Sequence, residues 1–264
     1  FQKHKRWRVA QAQLITELES ELQEAHDMQM GLLPREPVCE GGFEAVGRCL
    51  PANHVGGDYF TYFWLDDNQK LLGFGAADVS GKAMQGAVRA MQLSGMLYYE
   101  VRAAQIPIDV LRNLHPVLQE QFDAASFVTC CLGTLDLDAG EIVLANAGHP
   151  YPYHVTARGD LHMVELMSVP LGMTLPPEVD TEPVETNISL DAGDMLVLYS
   201  DGVTDMQNGA GDFYEEGRLE AVLKKYAHLD ATALIDKVVD NLMDFRGSAA
   251  QTDDVTLLVI KRQS

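Results

Sequence analysis

Val55-Gly56-Gly57-Asp58-Tyr59-Phe60-Thr61-Tyr62-Phe63-Trp64-Leu65, then Asp66-Asp67-Asn68, then Leu71-Leu72-Gly73-Phe74-Gly75-Ala76-Ala77-Asp78-Val79-Ser80-Gly81-Lys82: on this stretch the reading of the chain turns. Two runs dense in aromatic and aliphatic residues flank a cluster of turn formers. The pattern predicts strands over about 56–65 and 71–78 joined as a hairpin. Asp58 opens the first strand behind two glycines, and Asp78 closes the apolar run of the second.

Upstream, a further strand is expected over about 43–50. Downstream, helical patterns without strong breakers occupy about 82–105 and, after Pro107, about 108–122. Alternating segments resume at about 127–136, 141–147, 151–156, 161–166, 184–190 and 194–199. Two more helices, about 214–227 and 231–245, precede a last strand near 255–261. Strands at hairpin spacing with helices grouped in pairs predict an α+β fold of antiparallel sheets covered by helices, not a doubly wound parallel sheet.

Residues 1–34 read differently from 35–264. After the basic Lys3, Lys5, Arg6 and Arg8 there is no Gly or Pro until Gly31 and Pro34, and Ile15, Leu18, Leu22, Ala25 and Leu32 follow a spacing of threes and fours broken only by Gln29. This predicts one amphipathic helix stopped by Pro34. Either it lies on its own domain or it is a coiled-coil linker that pairs two chains. Because the chain begins at Phe1 and not Met, an upstream sensor module is expected before it.

Of the 264 residues, 19 are Lys or Arg and 39 are Asp or Glu, for a formal charge of −20. Nucleic acid is bound through clustered Lys and Arg, so this balance excludes it as a partner. A hydrophobic fraction of 47% describes a packed core and not disorder. No apolar run approaches the roughly 18–20 residues of a membrane span, and the first residues lack the apolar core of a signal peptide. A cytoplasmic location is expected, in keeping with Cys39, Cys49, Cys130 and Cys131, which form no Cys-x-x-Cys pair. None of them has an Arg six positions on, so a thiolate phosphatase loop is absent. Cys130 and Cys131 are expected to pack as small apolar side chains on opposite faces of one strand. A nucleotide-binding P-loop is also excluded, because five residues separate Gly75 from Gly81-Lys82 and Ala83 stands where Ser or Thr is required.

The chemistry-bearing feature is a set of acidic residues at strand ends. Besides Asp58 and Asp78, Asp201 follows the apolar run ending in Tyr199, and Asp253-Asp254 precedes Val255. A single Asp beside Gly is ordinary turn chemistry; four that flank buried-looking strands form a candidate set. If they converge, two such charges about 4 Å apart repel by about 4 kcal/mol at an effective dielectric of about 20. The cluster then needs divalent cations, and oxygen-only donors select Mg²⁺ or Mn²⁺ over zinc.

Val55-Gly56-Gly57-Asp58, Asp78-Val79-Ser80-Gly81-Lys82, Asn146-Ala147-Gly148-His149-Pro150, Pro170-Leu171-Gly172, Ser200-Asp201-Gly202 and Asp253-Asp254-Val255-Thr256 occur in this order. Over about residues 24–264 the chain thereby resembles the metal-dependent PPM-type Ser/Thr protein phosphatases, in their bacterial SpoIIE/RsbU-like branch. The resemblance implies an αββα layered sandwich, two antiparallel sheets flanked by helices, with an N-terminal linker helix. It implies two Mn²⁺ or Mg²⁺ ions, with Asp78 bridging both, the backbone carbonyl of Val79 helping to hold the second, and Asp58, Asp201 and Asp253 completing the shell. Asp253 is preferred to Asp254, which aligns with a position often occupied by Asn in the wider superfamily. The implied activity is hydrolysis of phosphoserine or phosphothreonine by a metal-activated water, with a phosphorylated STAS-domain protein of the anti-anti-sigma type as substrate. Homodimerisation through the N-terminal helix is expected. The rival reading is a non-catalytic regulatory or dimerisation domain that kept the fold; such a domain is expected to lose a ligand, and all four aspartates are present.

The sequence departs from the family pattern at two places. Ala83 stands where Gly is usual: at positive φ it would be strained, whereas at a helix start it is favourable, and the helix reading is preferred. Asn53-His54 replaces a region where Arg is common, and His54 reads as a surface loop residue, with phosphate contact as the alternative. Within the motif at 146–150, His149 reads as a satisfied structural histidine, with proton donation to the leaving serine as the alternative.

Overall fold

The computed structural model describes residues 2–264 apart from 82, 124 and 177; the side chains of 2–10 and 12, which include the basic cluster Lys3, Lys5, Arg6 and Arg8, lie outside the described residues, as does Lys82. The elements in order are α1 (Gln2–Met30), β1 (Val38–Glu40), β2 (Phe43–Leu50), β3 (Asp58–Trp64), β4 (Leu71–Val79), α2 (Met84–Ala104), α3 (Pro107–Gln121), β5 (Val128–Asp136), β6 (Glu141–Ala147), β7 (Tyr153–Val155), β8 (Leu161–Met163), β9 (Val184–Ser189), β10 (Met195–Tyr199), α4 (Asp201–Thr204), α5 (Glu215–Tyr226), α6 (Ala231–Arg246) and β11 (Val255–Arg262).

The strands form two sheets, ordered β1-β2-β11-β10-β7-β8 and β3-β4-β5-β6-β9, in which every neighbouring pair is antiparallel. Helices α2 and α3 pack on the second sheet and α5 and α6 on the first. The chain is therefore an α+β protein in four layers, as the pairing of helices in the sequence predicts. Strand β10 shows how the layers are built. All five of its residues are buried, yet they divide by the two-residue period of a strand. Leu196 and Leu198 join the core that contains the β3–β6 side chains and α2 and α3, whereas Met195, Val197 and Tyr199 join the core under α5 and α6. A strand covered on both faces reads as an uninterrupted apolar run.

One difference from the sequence expectation is local. Helix α1 ends at Met30, short of Pro34, and the connection turns at Gly31 with hydrogen bonds from the amides of Gly31 and Leu32 to the carbonyls of Asp27 and Gln29. Leu33 then enters the core. The helix has two unlike parts: Leu14, Ile15 and Leu18 are exposed, while Gln29 is buried against the body of the molecule. Cys130 and Cys131 are both buried on β5, and burial raises both thiols, Cys130 to about 12, so they pack as inert apolar groups.

Candidate active site

Backbone register brings the first two aspartates together. In the β3–β4 hairpin Asp58 stands directly opposite Asp78, and Asp78 stands opposite Thr129 of β5. The other two come from the first sheet: Asp201 begins α4 where β10 ends, and Asp253 lies just ahead of β11, the neighbour of β10. These two approaches meet closely. A Cβ on Gly202 would fall 1.8 Å from the Asp254 carbonyl oxygen and 3.4 Å from the Cβ of Asp253, so only glycine fits beside Asp201.

Asp58 is 4% exposed and its Oδ2 has no hydrogen-bond partner. Burial, and then the charge of Asp78, pushes its carboxyl well above the usual range. Asp78 is pushed up to about 7 by burial and then by Asp201, Asp253 and Asp254. Asp201 is raised by burial, then by Asp253 and Asp205. Asp78 is thus the common neighbour, facing Asp58 across the hairpin and feeling the charges of Asp201 and Asp253. A buried carboxylate oxygen without a partner, facing a second carboxylate, calls for positive charge, and an all-oxygen donor set suits a hard divalent ion. Among the described residues no group of three or more His, Cys, Asp or Glu side chains is placed to hold a metal ion; the fit is one of charge and donor type alone.

The adjacent Asp253 and Asp254 differ. Asp254 is 7% exposed and braces backbone: its Oδ1 accepts the Ala52 amide at 2.7 Å and its Oδ2 the Gly57 amide at 2.7 Å. Gly56 lies so close that a Cβ there would be 1.9 Å from Asp254 Oδ2. Asp253 is exposed, accepts the Asp254 amide at 2.9 Å, and raises both Asp78 and Asp201 through its charge. Gly57 in turn faces Val79: its carbonyl accepts the Val79 amide at 3.2 Å, and a Cβ on it would meet the Val79 carbonyl oxygen at 2.4 Å. The two glycines of the Val55–Asp58 motif are therefore required by close approach, not by unusual φ. Beside the aspartates opens a cleft of about 610 Å³ lined by Asp78, Asp201, Thr129, His149, Tyr151, Met163, Leu166, Asp205 and Glu216, among others.

A model of the family described as "Stage II sporulation protein E (SpoIIE)" matches residues 68–263. The chain belongs to the SpoIIE family. Phosphoserine phosphatase RsbU of Bacillus subtilis is 26% identical over the whole of this chain and 75% of the relative. Phosphoserine phosphatase RsbP of the same organism is 24% identical over 91% of this chain, and there the match spans 57% of the relative's length. The SiaA PP2C domain of Pseudomonas aeruginosa shares the fold with a TM-score of 0.81 at 19% identity, over 94% of this chain and 98% of that one. With these relatives, the SpoIIE-family domain is a phosphoprotein phosphatase, of a family that uses divalent metals.

The SpoIIE-family motif at 146–150 is a backbone brace. Asn146 is wholly buried; its Nδ2 donates to the carbonyls of His149 at 2.9 Å and Leu166 at 3.0 Å, and its Oδ1 accepts the His149 amide at 3.2 Å. His149 is 2% exposed, with Nδ1 3.0 Å from Thr129 Oγ1, and burial lowers its pKa to about 3. Burial keeps the ring neutral, and Nε2 is buried without a hydrogen-bond partner, so the expectation of a fully satisfied structural histidine is met at Nδ1 alone. His54 is exposed and does not line the cleft. The preferred reading of Ala83 is corrected: it is not the first helical residue but the cap before α2, at φ 49° and ψ −124°. That is the left-handed side where an L side chain is strained.

Thr129, Asp254 and Gln29 took on roles that sequence reasoning missed. Thr129 becomes visible only once the β4–β5 register is known, and Asp254 only once its carboxylate is seen to meet the Gly57 amide.

Proposed function

We propose that this phosphatase domain hydrolyses phosphoserine or phosphothreonine on a phosphorylated STAS-domain protein, using two Mn²⁺ or Mg²⁺ ions held by Asp58, Asp78, Asp201, Asp253 and the Val79 carbonyl. The observation that carries the metal reading is the cross-strand pair Asp58 and Asp78, with the buried Oδ2 of Asp58 unpartnered. Bound ions would lower the pKa of a water nucleophile and neutralise phosphoryl oxygens. The chain's own part is to hold geometry. Sheet register fixes Asp58 against Asp78, Asp254 ties the 52–57 loop to β11, and Gly57 lets the Val79 backbone come close. The cleft beside Asp78 and Asp201 offers room for the phosphorylated segment.

Support for the substrate class is the similarity to relatives named phosphoserine phosphatases together with the ordered motifs. An upstream sensor and pairing of two chains through α1 complete the reading; the exposed Leu14, Ile15 and Leu18 on one part of that helix support the pairing.

The test is phosphate release from a phosphorylated STAS-domain protein, compared with a phosphopeptide cut from it. Release should require Mn²⁺ or Mg²⁺, stop in excess chelator, and favour the folded protein by about tenfold or more in kcat/KM, because remote contacts orient the substrate. Full activity in chelator would remove the metal reading, and equal rates on peptide and protein would remove recognition of a folded partner.

A further inference from the structure

Gln29 interrupts the apolar stripe of α1, yet it is buried, at 4% exposed. Its amide pairs with both polar groups of one backbone residue. Nε2 donates to the Gly56 carbonyl at 2.6 Å, and Oε1 accepts the Gly56 amide at 3.1 Å. Three residues earlier, His26 Nδ1 lies 2.6 Å from the His54 carbonyl oxygen; a carbonyl only accepts, so this nitrogen carries the proton. Helix α1 thus holds residues 54–56 by hydrogen bonds from its side chains to their backbone and not by packing alone.

Residue 56 is a sensitive place to hold. The next residue, Gly57, is gripped by Asp254 through its amide and by Val79 through its carbonyl, and the residue after that is Asp58. The approach to Asp58 is therefore clamped from two sides, by Asp254 of the β11 approach and by Gln29 of α1. An apolar side chain at position 29 would fill the same space but leave a buried N–H and a buried C=O unpaired, and the peptide would turn to find other partners.

We infer that Gln29 is a positioning residue, whose amide fixes the Gly56 peptide and so sets how Asp58 is presented opposite Asp78. The inference rests on the metal reading proposed above. It gives the one polar residue in the stripe a task that helix pairing does not, and it makes the end of α1 part of the active-site architecture.

The test uses the full chain and reads Mn²⁺ binding by calorimetry on metal-free protein, alongside turnover. Gln29→Met keeps side-chain length and removes both hydrogen bonds; it should weaken Mn²⁺ binding by about tenfold, with kcat falling and KM little changed. Leu33→Ala loosens the packing of the same segment without touching Gly56, so it should lower Tm while leaving Mn²⁺ affinity within about twofold. Asp78→Asn is the separate control for the metal reading and should abolish high-affinity binding. Wild-type Mn²⁺ affinity in Gln29→Met, with binding lost in Asp78→Asn, would overturn the positioning role alone. Equal weakening in Gln29→Met and Leu33→Ala would also overturn it, because general docking of the segment would then account for the effect. Unchanged binding in Asp78→Asn would instead remove the metal reading on which the inference stands.

Discussion

The two halves of the site are built differently. Asp58 and Asp78 face each other across one hairpin of the second sheet, buried or nearly so, and both are pushed toward the protonated form. Asp201 and Asp253 stand at the ends of neighbouring strands of the first sheet and are exposed to solvent. The first half is the more buried and sets two carboxylates face to face; the second lies nearer solvent, although burial still raises Asp201. Strong binding of a cation should therefore depend mostly on the first half, with the second tuning it.

The largest expected effect follows directly. Asp78→Asn should lower turnover by about three orders of magnitude or more while the protein stays folded, because it removes the charge at the centre of the set. Asp201→Asn should cost about ten- to fiftyfold, and raising the Mn²⁺ concentration should recover much of it, because a solvated ligand position can be replaced by water. Initial rates over a Mn²⁺ titration separate the two. Equal, unrescued losses would show that the halves contribute alike.

The raised carboxyl of Asp78 and the lowered imidazole of His149 give opposite responses of stability to pH. In chelator, Asp78 is protonated up to about 7 in the folded state, whereas in the unfolded chain it ionises near pH 4. Between these values the folded state binds the extra proton, so stability falls as pH rises through the window and is flat above it. The loss is at most about 4 kcal/mol, at 1.36 kcal/mol per unit. His149, lowered to about 3 by burial, acts in the other direction, with stability lost as pH falls from its unfolded value toward 3. It is common to wild type and Asp78→Asn, so the difference in Tm between the two reports Asp78 together with Asp58, whose carboxyl Asp78 raises. The variant should gain on wild type between pH 4 and pH 7 in chelator, and addition of Mn²⁺ should erase or reverse the gain. A Tm difference that is the same at both pH values would show that Asp78 is ionised throughout.

Much of this architecture was legible in the sequence, for a physical reason. The long strands carry either a two-residue alternation or an apolar run covered on both faces, and the large helices lie between clear breakers, so their places were readable. Strand β1, three residues at a sheet edge, and helix α4, four residues after β10, are too short to carry a period. The aspartates were visible as types at strand ends, but that Asp58 faces Asp78 depends on register, and register is set by the whole hairpin. The periodicity of α1 marked Gln29 as a defect, because a pattern of apolar residues records which face is covered and not that a buried amide has a backbone partner. Ala83 was misread because its conformation is imposed by the loop leaving β4, and composition gives no sign of a positive φ at a residue with a Cβ.

That loop also supplies the smallest test of the comparison. On the exposed half, β10 passes into α4 through Ser200 in ordinary extended backbone at φ −87° and ψ 161°. On the buried half, β4 passes into α2 through a loop that ends with Ala83 at φ 49°. Glycine adopts this conformation without the clash of a Cβ, although it also adds freedom to the unfolded chain, so the two effects partly cancel. Ala83→Gly should stabilise by up to about 1 kcal/mol, a rise of roughly 2 °C in Tm for a domain of this size. Ala221→Gly, at an exposed helical position in α5, changes the unfolded chain in the same way and should instead lower stability by about 1 kcal/mol. Opposite signs for the two substitutions, read by thermal melts under one buffer, would locate the strain in the loop after Asp78. Equal destabilisation would mean that Ala83 is relaxed in solution and that the buried half reaches its helix as easily as the exposed one.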